Sequence, residues 1–313
     1  MNRIVTPPNF YFITVIFLLN LIPGLCLINE GIFHFDSIAV AQAVENLYQK
    51  GVLAGTANGR YGWVLINALL YLPFYLSGHN AELVTIFSGV LFHSLSAVAL
   101  FLLIKELFSD SVQAFFGALL FSFIPFYFIP NTFGKEHGLA MFFILLSFYL
   151  VRRGRNTGSP QLLSWSSIAF LIALSVREAA LVTLPLFIAM FFVPSPVGPC
   201  MKEARPLNTP KALAAWLAPL LIGSMILFAV YLWPVIFNTL TSRGTFVVSF
   251  LGLNSFVLPI AIEHLFYGIP LLFFALAAAG IYQIFRHHRI YLGCVIITWS
   301  MLLFYFGNTS GYA

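Results

Sequence analysis

The amino-acid sequence predicts an all-α membrane protein: a polytopic bundle of about nine transmembrane helices, with interfacial helices in the first extracytoplasmic loop. Three observations lead there. Of 313 residues, 60% are hydrophobic and only 8% are charged, about a third of the charged share of a typical soluble domain. Apolar runs recur along the chain, many near the roughly 20 residues that a helix needs to cross the hydrocarbon layer. Lys and Arg stand singly or in short groups between these runs, as topology signals do. A mean hydropathy of +0.95 excludes a globule dispersed in water. Lys and Arg outnumber Asp and Glu by 15 to 10, but no clustered basic stripe points to nucleic acid. Cys26, Cys200 and Cys294 lie too far apart for a metal spacing or a disulfide framework.

Taken in order, the candidate spans are residues 10–28, 81–104, 112–129, 138–151, 162–176, 179–193, 213–232, 266–285 and 290–306. The first is too long in apolar content, and too poor in a small-residue cleavage pattern before Asn29, to be a removed signal peptide. Residues 162–193 read as a hairpin, because one long helix would set Arg177 and Glu178 at mid-membrane, at a cost of about 3 kcal/mol each. The hairpin also places Arg152, Arg153 and Arg155 on the same side as Lys202, Arg205 and Lys211. Arg3 precedes the first span while Glu30 and Asp36 follow it, so the N-terminus is expected in the cytoplasm. Residues 29–80 then form a long extracytoplasmic loop. Within it Val40, Val44, Leu47 and Tyr48 recur at helical spacing, opposite Gln42, Glu45, Asn46 and Gln49, and the apolar stretch 61–76 follows. Both segments suit helices resting on lipid. With no internal repeat and no soluble segment, residues 1–313 read as one transmembrane domain.

In this topology seven of the ten carboxylates (Glu30, Asp36, Glu45, Glu82, Glu136, Glu178 and Glu263) fall at or near the outer face. Charges at such a rim are costly enough to be functional candidates. Asp36, between Phe35 and Ser37, suits a general base for an acceptor hydroxyl. It equally suits a cap for a helix beginning at Ser37. In Gly134-Lys135-Glu136-His137-Gly138, Glu136 and His137 can ligate a divalent cation such as Mg or Mn, and Lys135 can neutralise a phosphate. A solvated turn is the alternative, since this pair supplies at most two ligands. Arg177, beside Glu178, offers a fork suited to phosphate, or an ion pair closing the hairpin. Arg243 and Glu263, in or beside the outer loop 233–265, are weaker candidates for substrate binding. His93, with Ser94 and Ser96 inside a span, reads as an interhelical hydrogen-bonding residue.

This arrangement resembles the GT-C superfamily of polytopic membrane glycosyltransferases, in the branch that contains protein O-mannosyltransferases and aminoarabinose transferases. The likeness extends over essentially all 313 residues. It rests on the N-terminal span, the outer loop opening with Phe35-Asp36-Ser37, the acid in Lys135-Glu136-His137 at the start of the fourth span, and Arg177 at a short outer hairpin. Two departures stand beside it. Asp36 is followed by Ser37 where members often carry an acidic pair, and Gly59-Arg60-Tyr61-Gly62-Trp63 replaces a His-Pro-Pro motif. The resemblance implies transfer of a sugar from a polyprenyl-phosphate-linked donor to a lipid, glycan or protein acceptor, in the plasma (inner) membrane with the site facing outward. Asp36 is then the catalytic base, and Lys135, Arg177, Glu178, Arg243 and Glu263 bind substrate. Glu136 and His137 hold the cation, if one is used. The ending Gly307-Asn308-Thr309-Ser310-Gly311-Tyr312 looks like a segment that members continue with further spans, implying a longer chain. Two other classes remain open: a transporter or lipid flippase, which would carry its charges nearer the midplane, and a polymerase or ligase of diphosphate-linked glycans, which would carry more outer-face Arg.

Overall fold

The computed structural model describes residues 7–28, 35–53, 60–192 and 209–227, and beyond these 229, 292–298 and 300–301. Among the described residues the regular structure is helical throughout, with no strand. The helices are α1 (Pro7–Cys26), α2 (Phe35–Lys50), α3 (Tyr61–Leu76), α4 (Ala81–Phe108), α5 (Ser111–Ser122), α6 (Pro125–Thr132), α7 (His137–Thr157), α8 (Pro160–Val176), α9 (Leu184–Phe192) and α10 (Thr209–Leu227). A 3-10 turn, Glu178–Thr183, leads into α9. Asn9–Cys26, Ala81–Phe108 and Thr209–Ile226 are long and apolar enough to cross a membrane; Tyr61–Leu76, Ser111–Ser122, Pro160–Val176 and Ala180–Phe191 are shorter apolar helices. Of the remaining expected spans, 266–285 lies outside the described residues, and 290–306 does so in large part.

Helix boundaries follow local chemistry. Asn80 caps α4 by accepting from the Leu83 N–H, and Asp110 caps α5 by accepting from Val112 and Gln113. Ser159 caps α8, whose first position is Pro160. The stretch 112–129, expected as one span, is broken after Ser122. Pro125 has no N–H and disfavours helical backbone in the residue before it, so Ile124 adopts φ −70, ψ 111. The resulting pieces of 12 and 8 residues rise only about 18 and 12 Å, well short of the roughly 30 Å hydrocarbon layer.

The chain divides into two compact units: Met1–Glu178 with Ser195–Leu220, and Ala179–Pro194 with Leu221–Ala313. The first half of α10 joins the first unit because Trp216 Nε1 donates to Ser166 Oγ at 3.2 Å and Ser164 Oγ donates to Ala215 O at 3.2 Å. In the second unit α9 is strongly apolar, with Phe187 and Phe191 buried and Ile188 exposed.

α4 is the hub of the first unit, packing against α1, α2, α3, α5, α6 and α7. Its crossing with α7 is close because both helices carry glycine there. A Cβ on Gly138 of α7 would lie 2.9 Å from Gly89 O of α4, and one on Gly89 would lie 2.4 Å from Asn131 O of α6, which packs at the same place. Ser96 Oγ donates across this crossing to Gly138 O at 3.0 Å. α7 and α8 exchange serine bonds, Ser147 Oγ to Ser166 O at 2.7 Å and Ser166 Oγ to Ser147 O at 2.8 Å. The α2 stripe expected to rest on lipid is instead covered by protein. Val40 and Val44 are wholly buried in a core with Trp63, Val64, Val84 and Leu139, and Leu47 and Tyr48 pack against its edge. The outward faces of α1, α3 and α10 remain apolar, with Tyr11, Leu69, Leu76 and Met225 exposed, a surface suited to lipid contact.

Gly89→Ala should destabilise the protein by about 1–3 kcal/mol, the usual cost of forcing an extra methyl into packed backbone. Gly293→Ala, in a helix and with nothing within 4 Å, should cost nothing and gain up to about 1 kcal/mol. Unfolding followed in detergent compares the two.

Candidate functional site

Several helix ends of the first unit converge at one place, and each brings a charged or polar side chain. Asp36 lies in the first turn of α2, and Arg60 immediately precedes α3. Lys135 and Glu136 come from the loop between α6 and α7, and His137 opens α7. Arg177 follows α8 in extended backbone, its N–H bonded to Ala173 O at 2.8 Å.

The loop between α6 and α7 is set from below. Gly134 has φ +73, a left-handed conformation that costs glycine little. A Cβ there would meet Thr85 O of α4 at 3.0 Å. Asn131 Oδ1 accepts the Gly138 N–H at 2.7 Å, satisfying one of the otherwise open donors at the start of α7. The Asn131 side-chain amide donates to His93 Nδ1 at 3.3 Å, so His93 does join two helices, as its place in a span predicts. Ser37 Oγ donates to Phe133 O at 2.8 Å and ties the start of α2 to the same loop.

On this frame the charges form one connected network. Glu136 Oε1 accepts from Arg60 Nη1 and from Arg177 Nη1, each at 2.8 Å. Arg177 Nη1 also reaches His137 Nδ1. Lys135 Nζ lies 3.3 Å from Asp36 Oδ2, and Arg60 Nη1 lies 3.9 Å from that same oxygen. The side chains grade from floor to rim: Glu136 is 1% exposed, Arg60 11%, Lys135 17%, Arg177 18% and Asp36 29%.

Burial by itself raises the Glu136 carboxyl, but His137, then Arg177 and Arg60, beside it hold the group down at about 2. His137 stands ahead of the apolar run of α7. Burial, and then the Arg177 guanidinium, lowers it to about 3, so its imidazole is neutral at neutral pH. A guanidinium has only donors, so His137 Nδ1 accepts and the ring proton sits on Nε2. Among the described side chains three cations, Arg60, Lys135 and Arg177, thus face two carboxylates, Asp36 and Glu136, a positive excess of one. The N-termini of α2, α3 and α7 add their dipole ends to it. The site favours an anionic group.

An apolar groove of about 410 Å³ lies between α3, α7 and α8, lined among others by Gly62, Ile66, Phe143, Ile172 and Ser175. Gly62 and Ser175 are each two residues along the chain from Arg60 and Arg177, so one end of the groove adjoins the charges.

Of the residues singled out in the sequence, Asp36, Lys135, Glu136, His137 and Arg177 come together here. Asp36 does not cap a helix starting at Ser37; α2 already includes Phe35, and the Asp36 carboxylate turns to Lys135. The side chain of Glu178, and Arg243 and Glu263, lie outside the described residues. Of the two expected cation ligands, Glu136 Oε1 and His137 Nδ1 face guanidinium groups, while Glu136 Oε2 is buried with no hydrogen-bond partner. Among the described residues no group of three His, Cys, Asp or Glu is placed to hold a metal ion. Arg60 is the member that sequence reasoning missed. Its signal was present: a single Arg directly ahead of the apolar run 61–76, the same signature that marks Arg177 at the end of α8.

The fold and the site together define an all-helical protein with helices suited to a membrane and a buried ionic cluster at the end of one helical unit. No protein-family model matches the chain, and no curated protein is similar to it in sequence.

Glu136→Gln should cost about 3–5 kcal/mol, since two guanidiniums lose their shared buried counter-charge. The Glu136 carboxyl lies below its ordinary value of 4.5, so the stability it contributes is complete above that value and is lost as pH falls through about 2. The stability gap between wild type and Glu136→Gln should therefore stay constant around neutral pH and shrink once pH drops under 4.5, as read by unfolding at a series of pH values.

Proposed function

We propose that this chain is a membrane glycosyltransferase of the GT-C type, transferring a sugar from a polyprenyl-phosphate-linked donor to an acceptor hydroxyl at the extracytoplasmic face. The observation that carries the reading is the cluster of Asp36, Arg60, Lys135, Glu136 and Arg177, in which cations outnumber carboxylates among the described side chains, bordered by an apolar groove. A lipid-linked sugar phosphate has the matching form: an apolar chain, a phosphodiester with a single negative charge, and a sugar beyond it. The accompanying topology has about nine spans, the third of them broken ahead of Pro125, with the N-terminus in the cytoplasm, the site facing out of the plasma (inner) membrane, and α2 and α3 on the outer side. The acceptor is a lipid, glycan or protein.

In this mechanism the acceptor oxygen attacks the sugar C1 from the face opposite the phosphate. The new C1–O bond forms as the C1–O(phosphate) bond breaks, the electron pair leaving with the phosphate oxygen, and the anomeric centre inverts. Asp36, the carboxylate nearest the rim, takes the acceptor proton. A departing phosphate is a weak base, so it needs its charge neutralised more than it needs a proton. Arg177, Arg60 and Lys135 supply that neutralisation, and Glu136 holds the two guanidiniums at the required spacing. A divalent cation held by Glu136 and His137 is the alternative source of that neutralisation.

A lipid flippase or transporter is the second reading, favoured by the same groove. The two differ in chemistry: a flippase moves its lipid intact.

Asp36→Asn should abolish sugar transfer while insertion and folding persist; turnover at the wild-type rate would remove Asp36 from the chemistry. Arg177→Ala should raise the KM for the lipid-phosphate donor about 10- to 100-fold and leave the acceptor KM nearly unchanged. Steady-state assays in membranes, with donor and acceptor varied in turn, measure both.

A further inference from the structure

Arg177 is tied into the cluster by one corner of its guanidinium. Its Nη1 donates to Glu136 Oε1 at 2.8 Å and to His137 Nδ1. That nitrogen carries two protons, so the two acceptors take both. The partners are unlike in charge. Glu136 is a carboxylate at the floor of the site, and the same oxygen also accepts from Arg60 at 2.8 Å. His137 receives a hydrogen bond from a cation, so its Nδ1 bears no proton and the imidazole no charge. Both acceptors stand at the start of α7, on backbone that Asn131 Oδ1 fixes through the Gly138 N–H at 2.7 Å. Arg177 reaches them from extended backbone after α8, at φ −152 and ψ 119.

We propose that His137 is a positioning residue for Arg177: as a neutral acceptor it fixes the guanidinium so that the Nε–Nη2 edge is the one presented to a lipid-linked phosphate. The proposal rests on the phosphate-site reading of the cluster and adds what aims its arginine. A guanidinium on one acceptor can still turn about that hydrogen bond. Two acceptors on one nitrogen remove the turn, because they set the direction of both its N–H bonds and hence the plane of the group. With both Nη1 protons committed, the donors that serve a phosphate are the N–H of Nε and those of Nη2, a fork that matches two phosphate oxygens. Charge explains why the second acceptor is an imidazole. A carboxylate there would hold Arg177 equally well but would set another negative charge beside an incoming anion. The imidazole orients the cation and leaves its charge unopposed. His137 thereby acts through Arg177 and needs no contact with the ligand. A metal ion bound at Nδ1 would need the lone pair that Arg177 uses, so the two roles exclude one another at that atom.

The test is a binding titration of the protein in detergent micelles with farnesyl phosphate, with farnesol and inorganic phosphate as comparison probes. His137→Ala, and His137→Phe as a second replacement that keeps a flat ring, should each bind farnesyl phosphate about 10-fold more weakly than wild type, the scale of a lost hydrogen bond to a charged group. His137→Asn restores a neutral acceptor near the place of Nδ1 and should bind within about twofold of wild type. His137→Glu can still hold Arg177, yet should bind as weakly as His137→Ala. The loss from His137→Ala should vanish in an Arg177→Met background, where there is no guanidinium to aim. A thermal melt of each variant confirms folding. Wild-type affinity in folded His137→Ala or His137→Phe, failure of His137→Asn to rescue, or an undiminished His137→Ala loss in Arg177→Met would each overturn the positioning role while leaving the phosphate site standing. Wild-type binding that a chelator abolishes and Mn restores, and that His137→Glu retains, would make His137 a cation ligand instead. Inorganic phosphate competing as well as farnesyl phosphate would overturn the assignment to a lipid. Equal binding of farnesol and farnesyl phosphate by wild type would sink the phosphate site itself, and the positioning role with it.

Discussion

A single carboxylate oxygen shared by two guanidiniums is the constraint on which this end of the molecule depends. Glu136 is nearly inaccessible to solvent, and its Oε1 takes a 2.8 Å bond from Arg60 and another from Arg177. A buried carboxylate is costly unless it is paired, and a buried guanidinium is no cheaper. The three charges therefore hold one another in place, and with them the start of α3, the start of α7 and the end of α8. None of these residues is close to another in sequence: Arg60 and Glu136 are 76 positions apart, and Glu136 and Arg177 are 41.

The helices beneath bring that contact about with small residues and short polar bonds. Gly89 and Gly138 let α4 and α7 approach backbone to backbone, and Asn131 links His93 on one side to the first free N–H groups of α7 on the other. In lipid, where apolar side chains gain little by leaving one another's company, such close packing and interhelical bonding are what hold helices together. The loop that carries Lys135 and Glu136 is accordingly fixed from inside the bundle, by α4, and from the side, by Ser37 of α2. The positive excess among the described side chains and the apolar groove are consequences of the same arrangement, because α3, α7 and α8 line the groove and also carry Arg60, Glu136 and Arg177 at their ends.

Much of this was readable in the chain. Asp36, Lys135, Glu136 and Arg177 stand at the edges of apolar runs, and a charge at such an edge is expensive enough to draw attention before any coordinates exist. Arg60 carries the same mark and was passed over, because the stretch around it was read for a motif it lacks. The pairing itself was not readable. Glu136 and His137 suggest metal ligands as a dipeptide, and only the arrival of Arg60 and Arg177 from other helices shows Glu136 Oε1 and His137 Nδ1 turned to guanidiniums. The stripe on α2 was likewise correct as a pattern, with Val40 and Val44 on its buried face, but a stripe does not state whether lipid or protein will cover it.

The sequence by itself determined that this is a helical protein with helices suited to lipid, and which charges stand at the ends of its apolar runs, because hydrophobic run length and capping residues act over a few neighbouring positions. The tertiary structure alone decided which carboxylate lies at the floor and which at the rim, and that three cations from separate helices share them. Those outcomes depend on burial and on distances between segments far apart in the chain. Electrostatic pairing acts across space, and nothing in local composition encodes which distant partner will arrive.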